Sequence, residues 1–438
     1  MTSISVIGTG YLGAVHAACM AELGHDVVGI DNDPGRIEAL VEGRAPFFEP
    51  GLDDLLMRGL ASGRLHFTSD LAEGVSRAEI HFVCVGTPQR SGSYAADLRH
   101  VDAAVADVAR HAPPGSLVVG KSTVPVGTAV RLAALVRATS PHPHDVALVW
   151  NPEFLREGFA VADTLRPDRL VTGSTDPVSA ATLREFYRPL IEAGVPYLDV
   201  DLATAELAKT AANAFLATKI SFINAMADLC DASGADVRQL AEVLGHDARI
   251  GPKFLRAGLG FGGGCLPKDI RALMARAGEL GVSESLTFLS AVDHLNMARR
   301  TRTIDLVRDL CGGQLLGKNI ACLGAAFKPD SDDVRDSPAL NVAAAMQLQG
   351  ASVRVCDPAA LETSRRVFPT LEYVDSVKAA VDDADVVVLL TEWNEYVELT
   401  PVDLAPYVRV RAVVDARNAW DPTSWHDAGW TYRALGRG

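Results

Sequence analysis

The 438-residue chain is short of cysteine, of basic charge and of long apolar runs, and each shortage removes a class of protein. Seven cysteines (Cys19, Cys84, Cys230, Cys265, Cys311, Cys322 and Cys356) are odd in number, scattered and never paired as C-x-x-C. A disulfide framework and a zinc site are therefore not expected, and a reducing cytoplasm is the simplest setting. Against 55 acidic side chains stand 41 basic ones, a net charge of −14. No nucleic-acid partner is expected, and an anionic small molecule would have to be held by local cations. The opening MTSISVIGTG enters a strand pattern without a basic or cleavable leader, and no apolar run reaches membrane length, so neither export nor a membrane partner is expected. The loop SPHPHD (140–145) has no companion ligand cluster, and no metal is expected. What is present is a 48% apolar composition over a length that suggests two or three domains.

Short apolar runs alternate with amphipathic stretches in the N-terminal part: ISVIG (4–8), DVVGID (26–31), EIHFVCVG (79–86), SLVVGKS (116–122) and DVALVW (145–150). That alternation predicts parallel βαβ units. Residues 201–232 lack Gly and Pro and carry apolar residues on more than one face, which predicts a long, substantially buried helix joining two domains. Strand texture resumes with IACLG, SVRVCD (352–357), DVVVLL (385–390) and RAVVD (411–415). The reading is two doubly wound sheets with a helical middle.

The first strand runs into GTGYLG, a G-x-G-x-x-G at Gly8, Gly10 and Gly13, and the second ends in Asp31. Such a turn lets a pyrophosphate approach a helix N-terminus while the acid accepts the ribose hydroxyls, and it favours NAD over NADP. Asn32 and Asp33 read as turn residues. Thr87 in VGTP and Thr123 in STVPVGT follow strand ends, where doubly wound sheets place ligands. NPEFLREG (151–158) carries Glu153 and Glu157 four apart, as on a helical turn; an acid at a strand end is also a candidate for moving protons. Lys209 and Asn213, i and i+4 on the long helix, share a face. Lys328 and Arg335 lie in AAFKPDSDDVRDSP (325–338), placed to pair with phosphates or with the neighbouring aspartates.

GLGFGGGCLPKDIRAL (258–273) crowds glycines before Cys265. A helix from Leu266 puts that thiol at a positive helix end, with Lys268 adjacent and Asp269 one turn on, which builds a nucleophile. The glycines are read as giving a ligand access to the backbone.

With GTGYLG, STVPVGT, NPEFLREG, AKTAANAFLATKISFIN, RIGPKFLRAGLGFGGGCLPKD, FKPDSDDVRDSP and DARN (415–418) in order, the chain resembles the UDP-glucose/GDP-mannose dehydrogenase family over nearly its full length. The resemblance implies an α/β fold of two Rossmann-like doubly wound parallel-sheet domains joined by a helical central domain. It divides the chain into an NAD-binding part (1–200), a dimerising helical part (201–300) and a UDP-sugar-binding part (301–438).

The implied activity is four-electron oxidation of a nucleotide sugar 6-hydroxyl to a carboxylate, UDP-glucose to UDP-glucuronate. GDP-mannose, UDP-N-acetylmannosamine and TDP-glucose are the alternative substrates. Carried onto this sequence, the family's catalytic groups are Cys265, Lys209, Asn213, Asp269, Glu153 and Thr123. Cofactor contacts fall on Gly8, Gly10, Tyr11, Leu12, Gly13, Asp31, Arg36, Thr87, Thr123, Glu157, Lys268 and Arg335. Substrate contacts fall on Glu153, Phe154, Leu155, Lys209, Asn213, Phe261, Gly262, Cys265, Lys328 and Arg417, with Arg249 reaching the neighbouring subunit's site in a homodimer. Cys265 would capture the intermediate aldehyde as a thiohemiacetal and later hold a thioester that water hydrolyses. Ala225, Thr210, Gly264 and Leu266 depart from the family's common residues. A two-electron 3-hydroxy acid type of NAD dehydrogenase and a non-catalytic NAD-binding protein are the rival readings, and both leave Cys265 without a task.

Overall fold

The computed structural model describes residues 1–437. It divides into two compact units, one formed by Met1–Ala212 with Arg271–Gly281, the other by Asn213–Ile270 with the chain from Val282 onward.

The first unit is built on a sheet of β1 (Ser3–Ile7), β2 (Asp26–Ile30), β3 (Leu65–Thr68), β4 (Ile80–Val83), β5 (Leu117–Gly120), β6 (Ala147–Trp150), β7 (Leu170–Gly173) and β8 (Tyr197–Val200), in the order β3-β2-β1-β4-β5-β6-β7-β8. Successive side chains point to opposite faces, so each strand feeds two cores. Ile4, Val6, Phe82 and Val119 meet the helix Tyr11–Glu22 on one face. Ile7, Val83 and Val118 meet the helices Arg99–His111 and Thr128–Thr139 on the other. Both faces are covered, which is why these strands read as continuous apolar runs. All pairings are parallel except β6 with β7, which meet antiparallel at Trp150 and Gly173.

The second unit's sheet comprises β9 (Asn319–Leu323), β10 (Ser352–Cys356), β11 (Glu372–Tyr373), β12 (Val386–Leu389), β13 (Ala412–Asp415) and β14 (Thr431–Ala434), ordered β11-β10-β9-β12-β13-β14 and wholly parallel among the described residues. The winding repeats that of the first sheet. In each, the order reverses beside the first strand, and the loops leaving the strands' C-terminal ends there are where such sheets hold ligands.

The long helix spans Leu202–Ser233. It is less buried than its composition implies. Phe215, Phe222 and Leu229, at seven-residue spacing, stand 67%, 49% and 60% exposed, so one apolar stripe faces outward while Ala217, Ile223 and Ala227 pack inward. Among the described residues, no helix is long and apolar enough to cross a membrane.

Candidate active site

In the first unit, the three glycines of GTGYLG have different reasons to be there. Gly8 turns through a positive φ of 87°, and a Cβ on it would meet Val85 at 2.9 Å. A Cβ on Gly13 would lie 1.9 Å from the Gly8 carbonyl oxygen, so this glycine lets the helix close onto the turn. Gly10 has nothing within 4 Å of its would-be Cβ. It caps the helix Tyr11–Glu22 with no side-chain hydrogen bond, leaving open space in front of a positive helix end. Asp31, buried at the end of β2, accepts from the Thr9 amide at 2.8 Å and pairs with Arg36 at 2.8 Å. A carboxylate beside an open helix N-terminus fits the ribose and pyrophosphate of a dinucleotide, and Arg36, neutralised by Asp31, offers no separate site for a 2′-phosphate. Asp33 caps the next helix, Pro34–Val41, through the amides of Gly35 and Arg36. Leu12 packs against the apolar core beside Tyr11.

Tyr11 donates its hydroxyl to Glu49. Glu49, buried, also accepts from the amides of Gly158 at 2.7 Å and Ala160 at 2.7 Å. The dinucleotide turn is thereby tied to NPEFLREG. Burial first, and the Glu49 carboxylate second, push the Tyr11 phenol far above its ordinary pKa, which keeps it a donor.

The two glutamates of NPEFLREG do not lie on a helical turn. Residues 151–156 are irregular, and helix resumes only at Ala160. Pro152 and the cap at Glu49 explain this locally, since a residue before proline is pushed to extended backbone. Glu153 accepts from the amides of Phe154 at 2.8 Å and Leu155 at 3.0 Å and pairs with Lys121 at 3.0 Å. Lys209 sits over the Phe154 ring at 5.4 Å and adds its charge to the field at Glu153. Leu155 packs against the apolar core. Glu157 is half-buried in the turn before Gly158.

Thr87 donates its hydroxyl to the Thr123 carbonyl at 2.8 Å, so the two strand-end threonines form one unit. Glu206, one turn before Lys209 on the long helix, accepts from the amides of Gly127 and Ala129 at 2.7 and 2.6 Å. That bond ties STVPVGT to the helix carrying Lys209.

In the second unit, Cys265 immediately precedes the helix Leu266–Glu279, and its carbonyl accepts the Asp269 amide at 3.0 Å. Among the described residues it is the one exposed cysteine; the other six are buried. Burial raises their thiols, Cys84 to about 12, and a buried thiol of that kind is inert. Asp269 is buried, with Lys268 at 2.5 Å on one oxygen and the Asn213 amide at 2.6 Å on the other. Asn213, Cys265, Lys268 and Asp269 are therefore brought together.

Where a side chain would stand, the glycines before Cys265 face protein. A Cβ on Gly258 would meet the Ala416 carbonyl at 2.7 Å, on Gly260 the Asn296 amide oxygen at 2.5 Å and on Gly262 the Asp336 carbonyl at 2.4 Å. Gly263 would strike Phe327 at 2.8 Å and Gly264 the Arg335 guanidinium at 2.3 Å. They are glycines because the chain packs flush against its own unit. Asn296 holds both the amide and the carbonyl of Phe261, at 2.7 and 2.9 Å. Arg417 donates to the carbonyls of Leu390 (2.6 Å), Phe327 (3.1 Å) and Gly260 (3.3 Å) and pairs with Glu392. Arg335 pairs with Asp333 at 2.6 Å, and Lys328 lies over Phe327 at 5.4 Å. Arg249 is exposed and paired with Asp247 in its own turn at 2.6 Å.

Four side chains that organise these groups carry no role in the sequence reading: Lys121, Glu49, Glu206 and Asn296. Lys121 had a signal. It is a lysine at the end of an apolar strand, and the demand for a partner that singled out Lys209 applies to it equally.

Residues 2–191 match the NAD binding domain of the UDP-glucose/GDP-mannose dehydrogenase family, 203–298 its central domain and 321–422 its UDP binding domain. The chain is 43% identical over 438 residues to a UDP-glucose 6-dehydrogenase of Rhizobium meliloti, covering 99% of each. It is 40% identical to UDP-glucose 6-dehydrogenase TuaD of Bacillus subtilis, covering 100% of this chain and 94% of that one. A UDP-glucose dehydrogenase structure from Pyrobaculum islandicum superposes with a TM-score of 0.91 at 38% identity, covering 100% of this chain and 98% of that one. Three domains matched in order, with full-length relatives at this identity, place the chain in the UDP-glucose/GDP-mannose dehydrogenase family.

Proposed function

We propose that the chain oxidises the 6-hydroxyl of UDP-glucose to a carboxylate, with Cys265 as covalent nucleophile. The observation that carries the reading is the one exposed thiol, at a helix N-terminus, one turn before the buried Asp269–Lys268–Asn213 cluster. UDP-glucose is the substrate of choice because the relatives at about 40% identity bear that name. NAD, when bound, accepts the hydride in each of the two oxidations.

Asp269, with Lys209, draws the proton from the 6-hydroxyl as the aldehyde forms. The Cys265 thiolate then adds to the aldehyde carbon, and the negative oxygen of the thiohemiacetal is stabilised by the Lys209 ammonium and the free N–H of the Asn213 amide. The second oxidation leaves a thioester. Water, held by Glu153 and Thr123, adds to its carbonyl; the C–S bond breaks and the sulfur leaves as thiolate. One sugar alcohol, one water and two NAD become one carboxylate, two NADH and three protons. Gly8, Gly10, Gly13 and Asp31 would hold the dinucleotide, with Tyr11, Leu12, Arg36, Thr87, Glu157, Lys268 and Arg335 around it. Phe154, Leu155, Phe261, Gly262, Lys328 and Arg417 would line the sugar nucleotide's place.

The division into residues 1–200, 201–300 and 301–438 assigns NAD, self-association and UDP-sugar to successive parts. The outward stripe of Phe215, Phe222 and Leu229 supports a homodimer through the long helix, with Arg249 serving the neighbouring subunit. Seven cysteines with no disulfide among the described residues support the cytoplasm as the setting.

The test is to incubate the protein with NAD and UDP-glucose, GDP-mannose, UDP-N-acetylmannosamine or TDP-glucose in turn. Two NADH per UDP-glucose consumed are expected, and Cys265→Ala should form no uronate. One NADH with a lasting aldehyde, or full uronate formation by the alanine variant, overturns the reading.

A further inference from the structure

One buried cation has no task in the reaction as written. Lys121 follows β5 and is 3% exposed. An ammonium taken that far from water needs acceptors for all three N–H groups. It has the Asn151 amide oxygen at 2.9 Å, the Glu153 carboxylate at 3.0 Å and the Tyr187 phenol as a further hydrogen-bonding partner. These acceptors are themselves fixed, since Tyr187 donates to Asn151 at 2.8 Å and Asn151 donates to the Val171 carbonyl at 2.8 Å.

Glu153 is consequently held from both oxygens. Lys121 takes one, and the Phe154 and Leu155 amides take the other. The charged and titratable groups around it are Lys121 after β5, Lys209 on the long helix, Cys84 after β4, Cys19 on the helix Tyr11–Glu22, and Tyr187. Both thiols and the phenol are neutral, so two cations face one carboxylate.

We propose that Lys121 is a positioning residue for Glu153, keeping its carboxylate anionic and immobile so that it serves the attacking water as a permanent acceptor and does not titrate in the working range. The inference rests on the reading that Glu153 handles that water. Burial alone would push the Glu153 carboxyl up, but the Lys121 charge and hydrogen bond, with the Phe154 amide, hold it below the ordinary carboxylate range. Lys121 is correspondingly raised by Glu153 against the opposing effect of burial.

A role confined to packing would leave the pH dependence of hydrolysis where it is. Single-turnover decay of the Cys265 thioester, followed by mass spectrometry of acid-quenched protein, separates the two across roughly pH 5 to 9. The wild type should show no acid limb attributable to Glu153. Lys121→Met should acquire one, displaced upward by about 2 pH units or more, with at least a tenfold loss near neutrality and an unchanged KM for NAD; Lys121→Arg should restore the flat profile. A Lys121→Met profile matching the wild type overturns the inference. Should that variant fail to fold, the wild type decides: infrared spectra of carboxylates, assigned by subtraction of Glu153→Gln, should show an ionised Glu153 throughout, and a protonated band growing in near pH 6 overturns it. If Glu153→Gln hydrolyses the thioester at the wild-type rate, Glu153's role in the reaction is wrong, whatever Lys121 does to its charge.

Discussion

Asp31 in the first sheet and Asp357 in the second stand at the same place in the winding, each directly after the strand that neighbours the sheet's first. Even the turn beside them repeats: Gly8 donates to the Ile30 carbonyl and Gly324 to the Cys356 carbonyl, both at 2.8 Å, and both glycines have positive φ. The surroundings then diverge. Asp357 accepts from the amides of Ala325, Ala326, Ala359 and Ala360 and from the Trp393 indole, so its oxygens are closed off by its own unit. Asp31 has fewer partners and stands by the open space at Gly10. One topology thus carries an acid paired with its own turn and Arg36, and an acid that holds a loop. The winding sets where a carboxylate stands; the neighbouring turn decides what it does.

The sharpest way to break this contrast is to remove each acid. Asp357→Ala removes the acceptor of five donors, four of them buried, and should destabilise by about 3 to 4 kcal/mol, read as a fall in thermal midpoint with KM for NAD unmoved. Asp31→Ala should show the opposite pattern, a rise in that KM of about tenfold, ~1.4 kcal/mol, with the smaller loss of stability. Equal effects on both readouts from the two variants would erase the distinction.

The glycine-rich turns offer a second contrast. A Cβ on Gly13 meets backbone at 1.9 Å, whereas one on Gly264 meets only the far end of the Arg335 side chain. Gly13→Ala should cost about 2 to 3 kcal/mol and NAD binding with it. Gly264→Ala should stay within about 0.5 kcal/mol, as denaturant melts would show.

Acid should separate the units as well. Burial lowers His16 and His25, and lowers His81 to about 4, all in the first unit. In the second, His246, His294 and His426 are exposed. Below the unfolded value near 6.5, the unfolded chain takes up protons that the folded histidines refuse. The first unit's stability is therefore full above that pH and falls as pH drops toward 4, by up to ~1.4 kcal/mol per pH unit for each histidine. Hydrogen exchange at pH 7 and 5 should show peptides of the first sheet losing protection before those of the second.

The central strands were readable because both faces are covered and the chain spells them as apolar runs: ISVIG, EIHFVCVG, SLVVGKS, DVVVLL. The strands at the sheet edges, Leu65–Thr68, Tyr197–Val200, Glu372–Tyr373 and Thr431–Ala434, were not, since an edge strand mixes polar and apolar residues and carries no run. Leu170–Gly173, the strand next to one of those edges, was missed with them. The exposed stripe on the long helix was hidden for a related reason. Composition reports how apolar a helix is and not which of its faces is covered, and Phe215 looks no different from Ile223 until neighbours are known.

Among the site residues, those with a motif around them, Gly8, Gly10, Gly13, Asp31 and Cys265, were legible. Glu49, Glu206 and Asn296 were not, because each acts on backbone far away in the chain; Lys121 carried a signal, a lysine ending an apolar strand, that went unused.

By itself the sequence determined the doubly wound architecture, the dinucleotide turn and the thiol at a helix start, because each is written in contiguous residues whose local conformation follows from spacing and chemistry. Only the tertiary structure decided that the glycines before Cys265 pack against protein, that Glu153 rests on a buried lysine, and that Asp357 gathers five donors where Asp31 has fewer. Those depend on which distant groups share a few ångströms, and burial and charge are properties of that company.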